Sequence, residues 1–119
     1  MPGQWRMFWD STTALWTDGE LNEKYVGMFT STGTLGGGHE LTPYTSLPCF
    51  VHHGMIFVPL GYKHAMTEIC DMQSIHGGSP WGAGTFTDND GLREPSEIEL
   101  KIANIQGERF YKIVSRAYP

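Results

Sequence analysis

Three groups of residues in this 119-residue chain have types and spacings that could do chemistry. The first is the run Ser31-Thr32-Gly33-Thr34-Leu35-Gly36-Gly37-Gly38 within FTSTGTLGGGHELTP. Small residues bare the backbone there, so peptide N–H groups can meet an anion or the edge of a heteroaromatic ring without side-chain interference. The same composition also suits a plain turn between two elements. The second group is His52-His53. Adjacent helical histidines point to different faces, so they cannot act as an i, i+4 metal pair. The further company of His, Cys and carboxylate ligands that a metal site needs is lacking, and no metal site is expected. Either ring can instead interact with the helix dipole just before Gly54. The third is Trp16, at the end of an apolar stripe, which reads as core or as the aromatic wall of a ligand site.

Positioning these groups requires short strands flanked by helices. Gln4–Trp16 places Trp5, Phe8, Trp9, Ala14, Leu15 and Trp16 at three- and four-residue steps. The spacing predicts an amphipathic helix with Trp5 and Trp9 in the core, closed by Asp18-Gly19. Tyr25–Ser31 (YVGMFTS) is apolar and non-alternating, which predicts a buried strand ending at the glycines. Glu40–His53 reads as a second helix, with Pro43 in its first turn and Pro48 predicting a kink or break. Met55–Tyr62 (MIFVPLGY) is a second strand, its Pro59 marking a bulge or an edge. Lys63–Pro95 reads as a long loop, of a length that is usually functional. The final helix starts with Pro95 at N1, has acids in its first turn and Lys112 and Arg116 in its last, and lines up Ile98, Ile102, Ile105, Arg109 and Ile113. Two strands joined by a helix form a parallel βαβ unit, so the class is α/β. Ligands in such sheets sit at the carboxyl ends of strands, where the triple glycine lies.

Composition fits one folded domain, with 39% hydrophobic and 13% aromatic residues. A net charge of −5, with basic residues scattered singly, argues against a nucleic-acid partner. No apolar run reaches the roughly 18 residues a membrane span needs. MPGQWRMFWD lacks the apolar core of a signal peptide. Two cysteines, Cys49 and Cys70, are too few for a disulfide framework, and a reducing, cytoplasmic setting is expected. His39, His64, Asp71 and His76 read as solvated, and Asp90 with Arg93 as a surface pair.

Four motifs occur in order and at matching separations: FTSTGTLGGGHE, VHHGMIFVPLGY, HGGSPWGAGT and DGLREPS followed by EL and QG. Together they resemble the WrbA-like branch of the flavodoxin superfamily, the FMN-dependent NAD(P)H:quinone oxidoreductases, over about Met1 to Tyr118. Eukaryotic members share the extra residue before the triple glycine, here Leu35. The resemblance implies a doubly wound parallel sheet of strand order 2-1-3-4-5. On that mapping the chain holds strands 4 and 5 with their flanking helices. Strands 1–3 and the phosphate-cradling loop are missing, so the fold is N-terminally truncated.

The resemblance also assigns site residues. Ser31, Thr32, Gly33, Thr34, Gly36, Gly37 and Gly38 become FMN contacts along the pyrimidine edge. Donors there stabilise negative charge on the reduced ring and so favour two-electron chemistry. His52 becomes a flavin-edge donor and proton relay, His53 remains a cap, and Trp16 becomes the surface against which quinone or nicotinamide stacks. No catalytic side chain forms a covalent bond. The long loop from Gly77 to Arg93 corresponds to a segment that packs between subunits of a tetramer, and some fungal members act at a membrane edge. Two functions follow as expectations. One is ping-pong hydride transfer from NAD(P)H to a quinone, impaired by the absent phosphate loop. The other is a catalytically silent flavodoxin-like module that co-assembles with full-length subunits.

Overall fold

The computed structural model describes residues 1–119. The N-terminal aromatic stripe forms two helices instead of one, α1 (Gly3–Asp10) and α2 (Thr13–Thr17). They break at Ser11-Thr12, whose hydroxyls donate back to the Phe8 and Trp9 carbonyls at 2.6 Å each and compete with the helical ladder. Trp9 packs edge-on against Phe50, with ring centroids 5.4 Å apart. Trp5 departs from its predicted core position: it is exposed and stacks on Phe8.

YVGMFTS is not one buried strand. It divides into β1 (Tyr25–Val26) and β2 (Thr30–Thr32), followed by α3 (Leu41–His52) and β3 (Ile56–Phe57). β1 and β3 pair in parallel, with Tyr25 opposite Ile56, so the βαβ unit is present. β2 leaves that sheet and pairs in parallel with β4 (Gly84–Phe86), which lies inside the stretch predicted as loop. A side chain explains the switch. The Gln106 amide donates to the Met28 carbonyl and accepts from Ala83 N–H, both at 2.7 Å, satisfying backbone groups where the two pairs separate.

The predicted loop also holds α4 (Met66–Ile69), and the chain ends in α5 (Glu97–Ala117). A Glu68–Lys101 ion pair at 2.6 Å ties these two helices together. α3 runs through Pro48 without the predicted break. The acceptor that Pro48 cannot serve is the carbonyl of Tyr44, an exposed residue that water can reach. Leu60, Ala65, Ala83 and Ile102 form the core, with Ile69, Ile98 and Ile105 packed on it, so the isoleucine stripe of α5 faces inward as predicted. Phe50 joins Trp9 and Phe57 in a second cluster.

The start of α5 lies two positions later than expected. Ser96 is the N-cap, and Pro95 precedes it. The Ser96 hydroxyl accepts from Glu99 N–H, and the Glu99 carboxylate accepts from Ser96 N–H at 2.8 Å, forming a reciprocal capping box. Replacing Ser96 with alanine should cost about 1 kcal/mol of stability by urea denaturation, and Ser96→Asp much less.

The basic residues are not all scattered. Lys63, Arg109 and Lys112 stand near His64, and after desolvation their charges hold its imidazole below the ordinary value. No helix is long and apolar enough to cross a membrane.

Candidate functional site

The glycine loop, residues 33–38, leaves the carboxyl end of β2 in the parallel β2–β4 pair. Two of its glycines are fixed by the loop itself. A Cβ on Gly37 would stand 2.6 Å from the Thr32 Cβ and 2.9 Å from the Thr34 carbonyl, and Gly38 has φ +110°. Gly36 and Gly33 differ from these. A Cβ on Gly36 would meet nothing within 4 Å, and one on Gly33 only an ordinary 3.7 Å contact. The turn therefore does not require glycine at either position. Gly37 N–H bonds to the Thr34 carbonyl at 3.0 Å, whereas the N–H groups of Gly33, Thr34, Leu35, Gly36 and Gly38 have no partner within the protein. The loop borders two clefts. Ser31, Thr32, Gly33 and Gly37 line one of about 530 Å³; Gly33, Thr34 and Gly36 line another of about 470 Å³.

Behind the loop sit groups that the sequence reading placed in solvent or paired wrongly. His39 is buried, stacks on Phe86 with ring centroids 4.5 Å apart, and bonds through both nitrogens to the segment opposite. Burial lowers its proton affinity, opposed by the Thr85 carbonyl and by Glu99. His76 is half-buried between the carbonyls of Asp71 and Gly77. Asp71 closes a turn by accepting from Gln73 N–H and the Ser74 hydroxyl.

Arg93 pairs not with Asp90 but with Glu99, donating to both carboxylate oxygens at 3.1 and 3.0 Å. Asp90 instead caps Leu92 N–H. Glu99 also accepts from Gly77 N–H (2.7 Å), Ser96 N–H (2.8 Å) and the Thr85 hydroxyl (2.8 Å). Burial alone would raise its pKa, but Arg93 and these donors outweigh that and lower it to about 2. One signal in the sequence pointed here: Ser96-x-x-Glu99 is a capping-box pattern.

Trp16 and His52 line one cavity of about 420 Å³, together with Trp9, Thr12, Cys49 and His53. Trp16 is 53% exposed and presents much of its ring to the opening. His52 ends α3 with its ring free of hydrogen bonds to the protein. His53 is the C-cap residue, but its ring does not simply face the helix end. It is buried, and its Nε2–H donates to the Thr12 hydroxyl at 2.8 Å, because that hydroxyl gives its own hydrogen to the Trp9 carbonyl. His53 Nδ1 and Trp9 Nε1 are buried without partners.

No single cleft holds both the glycine loop and the Trp16–His52 pair, but adjoining clefts connect them. Met1 is shared by the glycine cleft and a neighbour of about 730 Å³, and His52, Trp9 and Cys49 are shared by that neighbour and the Trp16 cavity. The line of clefts offers unpaired N–H donors at one end. An imidazole and a flat aromatic face stand at the other, so it suits a planar, polar-edged ligand.

No family model matches the chain. It is 58% identical over 115 residues, 97% of its length, to the P25 protein of Schizosaccharomyces pombe. It is 53% identical over 117 residues (98%) to minor allergen Alt a 7 of Alternaria alternata. It is 49% identical over 116 residues (98%) to the NAD(P)H quinone oxidoreductase PST2 of Candida albicans. The aligned region covers 57% of each of these three relatives.

Proposed function

We propose that this chain belongs to the flavodoxin-like NAD(P)H:quinone oxidoreductases and carries the part of their site that meets the edge of the flavin ring. Relatives bearing that enzyme name support the reading. One observation carries it: Gly33 and Gly36 are small where the turn does not require it, beside unpaired N–H groups at the end of a parallel strand.

These donors fit the carbonyl-rich edge of a flavin. Bound there, FMN would supply two-electron chemistry between NAD(P)H and a quinone. The chain's own residues do the rest. Ser31, Thr32, Gly33, Thr34, Gly36 and Gly38 contact the ring edge, and the free N–H groups of Gly33, Thr34, Gly36 and Gly38 stabilise negative charge gathering there. Gly37 contributes close approach, since its N–H is already taken. His52 holds a proton near the rim, and Trp16 stacks the incoming ring and excludes water. The phosphate finds less. Arg93 lines one glycine cleft, but its guanidinium is committed to Glu99. The two glycine clefts accordingly read the ring and not the phosphate.

Flavin fluorescence quenching tests this. Riboflavin and FMN should bind with affinities within about tenfold of each other, because no basic side chain lining the two glycine clefts is free to hold the phosphate. Gly36→Ala should leave stability within about 0.5 kcal/mol while weakening flavin binding by at least about tenfold. If Gly36→Ala binds flavin as the wild type does, the loop is only a turn and the proposal fails.

A second reading, a silent module that joins other subunits, is favoured by uncovered apolar surface. Phe29 is 82% exposed and borders a cavity of about 430 Å³ with Ala103 and Phe110, while Trp5 and Phe8 are also exposed. A colourless protein that gains no quinone reductase activity with added FMN, yet forms defined assemblies by light scattering, would favour this reading over the first.

A further inference from the structure

The residue that ends the glycine loop is held more tightly than any residue within it. His39 follows Gly38 and stands two residues before α3, so it joins the loop to the helix that carries His52. Its ring fills a slot between two backbone segments. A Cβ on either Gly77 or Gly84 would come within 2.6 Å of its Cε1, and the ring lies nearly parallel to Phe86, tilted by 18°. Nδ1 accepts from Gly78 N–H at 3.2 Å, which puts the ring hydrogen on Nε2, where it is donated to the Thr85 carbonyl at 3.1 Å. Residues 33–38, by contrast, hydrogen-bond only among themselves, to Thr32 and to the first turn of α3. The β2 ladder holds one end of the loop and His39 holds the other.

We propose that His39 is a positioning residue for the glycine loop and that its neutral imidazole is the holding form, so that ligand affinity of the loop falls when the ring takes up a proton. The identity of the ligand rests on the flavin reading above; the clamp does not. A second proton would enter on Nδ1 and face the Gly78 N–H, donor against donor, so the imidazolium cannot keep both bonds. Burial opposes that proton. The charged and titratable groups nearby are few. Glu99 on α5 attracts the imidazolium, but Arg93 already engages Glu99 and also donates to the Thr85 hydroxyl. His76 lies beyond Gly77, and Glu40, next in the chain, is exposed.

The experiment combines histidine ¹⁵N NMR with riboflavin titration between about pH 7.5 and 5, across the histidine range. Riboflavin is used because it has no titrating phosphate. His39 should show the Nε2–H tautomer and titrate below ordinary histidines, with the amides of residues 33–38 shifting in step. Wild-type affinity should fall by up to about tenfold per pH unit below that midpoint. His39→Gln, neutral throughout and still able to donate and accept, should bind within about threefold of wild type at pH 7.5 and lose the decline. A decline that persists in His39→Gln, or wild-type affinity flat with pH, overturns the proposal. If no riboflavin binds at any pH, the flavin reading falls and NMR alone decides the clamp: loop amides that ignore the His39 titration refute it.

Discussion

Replacing Glu99 with alanine is expected to remove about 3–5 kcal/mol of stability, a large share of what a domain this size possesses. The carboxylate is nearly inaccessible and accepts five hydrogen bonds from four residues, Gly77, Thr85, Arg93 and Ser96. It thereby ties the start of α5, strand β4 and the backbone beside His39 to one point. Deleting it leaves the Arg93 guanidinium without its counter-charge and a buried Gly77 N–H without an acceptor. Arg93→Ala should cost less, roughly 2 kcal/mol, since the carboxylate keeps its three other donors. The double variant should lose little beyond Glu99→Ala, because both changes dismantle one network.

The same group makes stability depend on acid. Its folded pKa of about 2 lies below the ordinary 4.5, so its contribution is complete above pH 4.5 and is lost as pH falls toward 2. That difference corresponds to about 3 kcal/mol at neutral pH, at the lower end of the loss expected for Glu99→Ala. Urea midpoints measured from neutral pH downward should converge for wild type and Glu99→Ala in this window. Curves that stay parallel would show that Glu99 carries no such linkage. His39 acts in a separate, higher window. Its folded value lies below 6.5, so stability declines as pH drops below 6.5 toward that lowered value and then levels off.

These two residues mark the boundary of what the sequence discloses. The isoleucine stripe of α5 and the parallel βαβ unit were legible because their signals lie within a few residues of one another. The glycine loop was legible for the same reason, and the Ser96-x-x-Glu99 spacing is an equally local signal, although Pro95 predicts an earlier helix start. β4 was not legible. Gly84-Thr85-Phe86 is three residues amid glycines and polar groups, and only its pairing with Thr30–Thr32, more than fifty positions earlier, makes it a strand. Asp90 looked like the partner of Arg93 because it is near in sequence, yet the fold brings Glu99 to both guanidinium nitrogens. His39 looked solvated because nothing local buries it; Gly77, Gly84 and Phe86 arrive from far along the chain. The site was half readable on the same grounds. Loop, His52 and Trp16 stand out as candidates through residue type and through the family resemblance, whereas the slot that holds His39 depends on tertiary contact.

Gly82 gives the second large effect, and it tests the part of the fold that local patterns missed. At this position a Cβ would collide with the Met28 carbonyl oxygen and lie 2.9 Å from its carbon, so the clash is with backbone and not with a side chain that could rotate away. Neither side can yield easily. Met28 is buried, its carbonyl accepts from the Gln106 amide at 2.7 Å, and that amide also accepts from Ala83 N–H. Gly82 is itself pinned by reciprocal backbone bonds with Ser79 at 3.0 and 3.1 Å. Gly82→Ala should therefore cost about 3 kcal/mol or more, at the upper end of what overpacking produces. It should also separate β2 from β4, visible as faster amide exchange at Thr30 and Thr87, whose N–H groups bond across that seam. Gly107→Ala supplies the control. It lies within α5, where a Cβ meets nothing within 4 Å, so the same substitution should stabilise the helix by about 0.5–1 kcal/mol. Opposite signs from one chemical change would tie the cost at Gly82 to the meeting of Met28, Ala83 and Gln106. A mild effect there would mean that the two parallel pairs are not locked together as described.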